Sequence, residues 1–245
     1  FENTNYATAI KNTYLKSLTT RSNSVLLNNY FAVSHPSEPN YVATLYGSTA
    51  GITDDNLHDV SGTNLVDLLE AKGVSWKGYM QDYPGSCYTG LQSGLYVRKH
   101  NPFICMSDIS TNPTRCAKIV NANQLDTDLA SNSMPQFSYY VPNLDNDGHD
   151  TSLTYAMNWF QPWFESRLTN ANFTTGTLFM IIFDESASGS NQVFASLLGT
   201  PVQSGTHTDS TSLTHYSIIK TLENNWNLGT LGRNDATANT FTTYL

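Results

Sequence analysis

The segment Thr177 to Phe183 (TLFMIIF) constrains the fold of this chain more than any other. It is too short for a core helix, is rich in Ile and Phe, and is bounded by Gly176 on one side and Asp184-Glu185 on the other. That pattern reads as a central strand buried on both faces, which requires helices or loops packed above and below it. Three further segments read as strands: Phe137 to Val141, Val74 to Tyr79 and Val193 to Leu198. Asn64 to Lys72 reads as a helix stopped by Gly73, and His215 to Asn225 as another. Strand-like and helix-like stretches alternate without an internal repeat or a low-complexity linker, so residues 1–245 are expected to form a single α/β layered domain.

The polar clusters fall just after the strands. Asp184-Glu185 follows the first, and Asn143 to Asp150 (NLDNDGHD) follows the second. Phe1-Glu2-Asn3 reads as the end of a strand, so residues upstream of Phe1 are expected. Ligand sites of open α/β sheets lie at the carboxyl ends of strands, so these clusters are expected to share one site. In FAVSHPSEPNYVATLY (Phe31 to Tyr46), an apolar stretch gives way at HPSEPN to a helical pattern, which puts Ser37 near a helix start. Free N–H groups and the positive dipole end there favour an alkoxide and hold a phosphate. A serine at this position also serves as an ordinary N-cap, and the segment by itself leaves both roles open. Adjacent carboxylates such as Asp184 and Glu185 repel unless a cation joins them, and exposed turn carboxylates are the plain alternative. In NDGHD, His149 is placed to act as a general acid with Asp150 or Asp147 orienting its ring, unless the segment is a solvent-exposed turn. His215 heads its helix and His35 precedes Pro36, while His58, His100 and His207 lie in no motif.

Composition removes other classes of function. The net charge is −8 with only 13% charged residues, which argues against a nucleic-acid partner, because phosphate backbones are bound by Lys and Arg. No basic amphipathic stretch and no apolar run of the roughly 20 residues needed to cross a bilayer supplies a membrane anchor. There is no GxSxG elbow, Walker A loop or GxGxxG. The polar, weakly charged and aromatic-rich composition is common in secreted microbial enzymes. Cys87, Cys105 and Cys116 form no CxxC pair, so a zinc–thiolate site is not expected. One disulfide, favoured between Cys87 and Cys116, plus a leftover thiol is the expectation; three buried free thiols are the alternative. Asn172-Phe173-Thr174 is the one N-glycosylation sequon.

Taken together and in order, these segments resemble the phosphoesterase family that contains fungal secreted acid phosphatases and bacterial phospholipases C, part of the alkaline phosphatase superfamily. FENTNY resembles the family's opening metal motif and NYFAVSHPSEPNY its nucleophile motif; YVRKHNPF, VPNLDNDGHD, FDES and THYS resemble its later blocks. The resemblance covers almost the whole chain, and its fungal acid phosphatase branch is the most similar.

The resemblance implies a three-layer αβα sandwich with a mostly parallel central sheet. It implies one divalent metal ion, Ca, Mg or Zn, held by Glu2, Asn3, Asp184 and Glu185. Ser37 would be the nucleophile, passing through a phosphoserine, and His149 with Asp150 would handle the leaving-group proton. Asn40, His35 and His215 would contact the substrate, expected to be a small phosphate ester hydrolysed at acid pH by a secreted protein. A phospholipase C acting on lipid headgroups is the nearest alternative. A silent binding protein on the same scaffold would have lost Ser37, His149 or the Asp184-Glu185 pair, and all are present. A carboxylic-ester hydrolase is disfavoured by the missing elbow.

Overall fold

The computed structural model describes residues 1–245 and has the layered α/β architecture expected, with a four-stranded and a three-stranded sheet, and two small two-stranded ones, in place of one. Strand Thr206–Asp209 pairs in parallel with Ser24–Leu27, followed by antiparallel Ala195–Gly199 and then antiparallel Leu178–Ile182. The second sheet is parallel throughout, with Trp76–Met80 between Ile119–Asn121 and Phe137–Val141 in a register that sets Tyr79 against Tyr140.

Two expectations change. The TLFMIIF strand has a single strand partner, and of Leu178–Ile182 only Ile181 is fully buried. The sheet containing it is mixed, because Ala195–Gly199 is reached through a loop and not through a crossover helix, and a loop return gives an antiparallel neighbour. The other three strands and both helices lie within two residues of their expected bounds.

Local chemistry fixes the helix ends. Asn64 caps Leu65–Ala71 in a capping box with Asp67. Ser37–Tyr46 stops at Gly47, which has φ +73°, and a Cβ there would stand 2.8 Å from Asp235 Oδ1. Helix Tyr216–Trp226 ends on Asn227 in the left-handed region. One apolar core lies around the mixed sheet, with Leu27, Phe183 and Phe194 inaccessible; a second surrounds Trp76, Phe103 and Leu65 beside the parallel sheet. The Trp76 and Phe103 rings stack at 5.1 Å. Cys87 and Cys116 are joined in a disulfide, and Cys105 is a buried thiol. No helix is long and apolar enough to cross a membrane.

Phe1 and Glu2 link the two sheets. The Phe1 amino group donates to Ile182 O at 3.1 Å, and Asp184 N donates to Phe1 O at 3.0 Å. Glu2 N then donates to Asp147 O at 3.0 Å, at the end of the loop that follows Phe137–Val141. The polar clusters after both sheets therefore meet at Glu2.

Candidate active site

Ser37 is the first residue of helix Ser37–Tyr46 and is buried. Its Oγ lies 3.0 Å from Glu2 Oε2 and 2.9 Å from Glu185 Oε1. One hydroxyl proton satisfies only one of these acceptors at a time. Glu185 Oε2 meets His35 Nδ1, and Tyr41 OH donates to Glu2 Oε1 at 2.5 Å. Asp184 completes the group, and neither of its carboxylate oxygens has a hydrogen-bond partner although the residue is 7% exposed.

The electrostatics of this trio are unfavourable as they stand. Carboxylate oxygens of Glu2, Asp184 and Glu185 all lie within 4.8 Å of one another, and all three residues are buried. Each charged pair repels by roughly 3–4 kcal/mol at an effective dielectric of about 20. Burial, then Glu2 and Glu185, push the Asp184 carboxyl well above its ordinary pKa. Burial also raises Glu185, against the opposing effects of Ser37 and His35. Orphaned buried oxygens with an all-carboxylate donor set fit a hard divalent cation, which removes both the repulsion and the missing hydrogen bonds. Asn3, expected as a further ligand, has a left-handed backbone (φ 47°) and forms no hydrogen bond with this group.

His149 stands on the other side of Glu2. Its backbone N–H donates to Asp147 Oδ1 at 2.7 Å, and its Nδ1 lies 2.6 Å from Asp150 Oδ1. Asp150 is therefore the carboxylate that orients the ring, while Asp147 orients the backbone. His35 is half-exposed beside Glu185.

Two expected substrate contacts have other work. Asn40 Oδ1 accepts from Val33 N at 2.9 Å and Ser34 N at 3.0 Å, while its Nδ2 donates to Ser34 O and Pro36 O at 2.9 and 3.2 Å. Its amide is used up in shaping the loop that presents Ser37. His215 is buried, with Nε2 2.5 Å from Asp184 O and Nδ1 3.3 Å from Tyr30 OH. A carbonyl only accepts, so Nε2 carries the proton and holds the Asp184 backbone, while Nδ1 faces the Tyr30 hydroxyl. Burial lowers its pKa to about 4, which keeps the ring neutral.

The residues that sequence reasoning passed over are His100, Tyr41 and Lys99, with Asp147 noticed only as a possible orienting group. His100 is buried, with Nε2 3.3 Å from Glu2 Oε1 and Nδ1 3.2 Å from Asp147 Oδ2, and Tyr41 stacks on its ring at 5.0 Å. Glu2, His100 and Asp147 are close enough to resemble a second cation group. The two carboxylates flank opposite nitrogens of the ring, and both nitrogens and Asp147 Oδ2 lack a hydrogen-bond partner, so this group too holds orphaned buried polar atoms. Burial draws the His100 pKa down to about 4, and Glu2 pulls it the other way. The one available signal was position: Lys99 and His100 fall in YVRKHNPF, a segment that carried resemblance but no assigned role.

The phosphoesterase family's sequence profile matches residues 9–229. An acid phosphatase of Aspergillus fumigatus is 37% identical over 252 residues, which cover 97% of this chain and 56% of that protein. A phosphatidylinositol-3-phosphatase of Mycobacterium tuberculosis is 31% identical over 215 residues, covering 86% of this chain and 69% of that protein. The chain thus spans a little over half the length of its fungal relative. Among solved structures, a protein in the alkaline phosphatase superfamily from Vibrio parahaemolyticus superposes with a TM-score of 0.60 at 12% identity, covering 96% of this chain and 68% of the other, a likeness of fold.

Proposed function

Since the chain belongs to the phosphoesterase family, we propose that it hydrolyses phosphate monoesters as a secreted acid phosphatase, with Ser37 as the nucleophile. The observation that carries the reading is the position of Ser37 Oγ, at a helix start and between Glu2 Oε2 and Glu185 Oε1, beside the partnerless carboxylate of Asp184. Glu2, Asp184 and Glu185 would hold one divalent cation. When bound there, that cation supplies positive charge that favours the Ser37 alkoxide and a phosphate oxygen.

Glu2 or Glu185 takes the hydroxyl proton as Ser37 Oγ bonds to phosphorus and the ester P–O bond breaks. The positive end of helix Ser37–Tyr46 stabilises negative charge on the transferring group, although Asp55 already accepts from the Glu38 N–H and Pro39 has none. With Asp150 on Nδ1, Nε2 is the nitrogen through which His149 gives a proton to the departing alcohol. In the second half, Nε2 takes a proton from water as its oxygen bonds to phosphorus and the P–Oγ bond breaks, and the proton held by Glu2 or Glu185 returns to Oγ. Two in-line displacements give net retention at phosphorus. The Cys87–Cys116 disulfide supports a location outside the cytosol.

The test is p-nitrophenyl phosphate hydrolysis from about pH 4 to 8 by wild type and Ser37→Ala, with and without EDTA. Acid-peaked activity lost in the variant is the expected result; full activity in Ser37→Ala would sink the scheme. A second reading, removal of the monoester phosphate from a lipid headgroup, is supported by the mycobacterial relative's activity. Phosphate release from phosphatidylinositol 3-phosphate vesicles in preference to p-nitrophenyl phosphate would select it.

A further inference from the structure

We infer that Lys99 is a positioning residue for His149: its ammonium holds Nε2 as a hydrogen-bond acceptor and registers the ring to the helix that carries Ser37. The inference rests on the assignment of His149 to proton transfer.

Lys99 lies in the short turn Arg98–His100, immediately before the buried His100. Its Nζ stands 3.1 Å from His149 Nε2 and 2.9 Å from Asp55 Oδ2, and its side chain is only 15% exposed. An ammonium has three N–H groups and no lone pair. At that separation Nε2 must offer its own lone pair, so the ring proton resides on Nδ1, where Asp150 Oδ1 accepts it. The opposite arrangement, a neutral lysine accepting from an Nε2–H, is disfavoured by Asp55. Burial pushes the Asp55 carboxyl up, but the Glu38 N–H and Lys99 outweigh it and leave its pKa lowered. Asp55 is therefore a carboxylate that accepts from the Lys99 ammonium.

The same Asp55 accepts from Glu38 N at 2.9 Å through Oδ1. Glu38 is the second residue of helix Ser37–Tyr46. A continuous line of contacts thus runs from Asp150 through His149, Lys99 and Asp55 to the first turn of the nucleophile's helix. Nε2 thus faces the ammonium with its lone pair, the orientation used in the step in which water loses a proton, and Lys99 must give way before Nε2 can carry a proton to the leaving alcohol.

The experiment is long-range 1H–15N correlation on protein labelled with 15N-histidine, recorded at about pH 8, where an ordinary imidazole is neutral. In wild type the His149 ring is expected as the Nδ1–H tautomer. Asp150→Ala removes the other partner of the ring, and Lys99 alone should keep Nε2 unprotonated. Asp150→Ala combined with Lys99→Met should shift His149 to the Nε2–H tautomer, and Lys99→Arg in the same background should restore Nδ1–H, because a guanidinium also only donates. An Nε2–H tautomer in Asp150→Ala with Lys99 present would overturn the inference.

Kinetics on otherwise wild-type protein give the second readout. Lys99→Met should lower kcat about tenfold with KM changed much less, and Lys99→Arg should recover most of the loss. A rise in KM alone would make Lys99 a substrate-binding cation and overturn the positioning role. Full turnover by His149→Gln would instead remove His149 from the reaction, and with it the consequence drawn for Lys99, even if the tautomer results held.

Discussion

Asn40→Ala separates a residue that shapes the site from one that binds in it. Four hydrogen bonds join the Asn40 amide to the backbone of residues 33–36, and the residue is 1% exposed. A net hydrogen bond contributes about 1 kcal/mol, and a buried group left without a partner costs more. Alanine removes all four bonds and strands the Val33 and Ser34 N–H groups near the nucleophile, while Ser34 O keeps Asn191 Nδ2 at 2.7 Å. Some of these would recruit water, which puts the loss at roughly 3–5 kcal/mol, a large share of the 5–15 kcal/mol typical of a domain. At roughly 2–4 °C per kcal/mol for a chain of this size, the melting temperature should fall by about 10 °C. The assay pairs thermal unfolding, followed by tryptophan fluorescence, with KM for p-nitrophenyl phosphate on the fraction still folded at low temperature. Stability should drop while KM moves little. A melting temperature unchanged within about 2 °C, combined with a tenfold rise in KM, would refute the argument and make the amide a phosphate ligand.

Two further tests concern charge. Adding a divalent cation should raise the melting temperature of wild type, since a ligand at about 100 times its Kd stabilises by about 2.7 kcal/mol. Asp184→Asn should lose most of that gain, and the cation-free variant should melt higher than cation-free wild type, because one charge leaves the buried trio; an unchanged cation response would remove Asp184 from the shell. Away from the site, burial and a hydrogen bond with Asp235 raise the pKa of buried Glu223 from 4.5 to about 7. A folded pKa above the unfolded one means that the contribution to stability is complete below about pH 4.5 and is lost as pH rises through about 7. Glu223→Gln should flatten the decline of melting temperature over that interval, and an unaltered slope would count against the shifted carboxyl.

The sequence carried those parts of the site that sit beside strong local patterns. Asp184 and Glu185 were legible because a strand-like apolar run ends on them, and Ser37 because a helical pattern begins there. Asp150 and His149 were legible as neighbours in one turn. Asn40 and His215 were picked out as functional residues, but their hydrogen bonds run to backbone brought close only by folding: the loop of residues 33–36 and the carbonyl of Asp184. His100, Tyr41 and Lys99 occupy no recurring spacing, and what each does is set by partners far away in the chain. The exposure of the TLFMIIF strand was misjudged for a similar reason, since an apolar run reports which residues favour a strand and not how many neighbours that strand acquires.

The link made by Phe1 and Glu2 has a kinetic consequence. Ser37 Oγ is bounded by an acid 35 residues before it and another 148 residues after it, and the acids meet only where the two sheets do. No local hairpin or helix pair contains even half of this arrangement. Contacts between such distant residues form late, because long loops must close first. During refolding, secondary structure and much of the fluorescence change should therefore return well before turnover. Recovered activity would then time the docking of the two sheets, a step that spectroscopic signals averaged over the whole chain do not isolate.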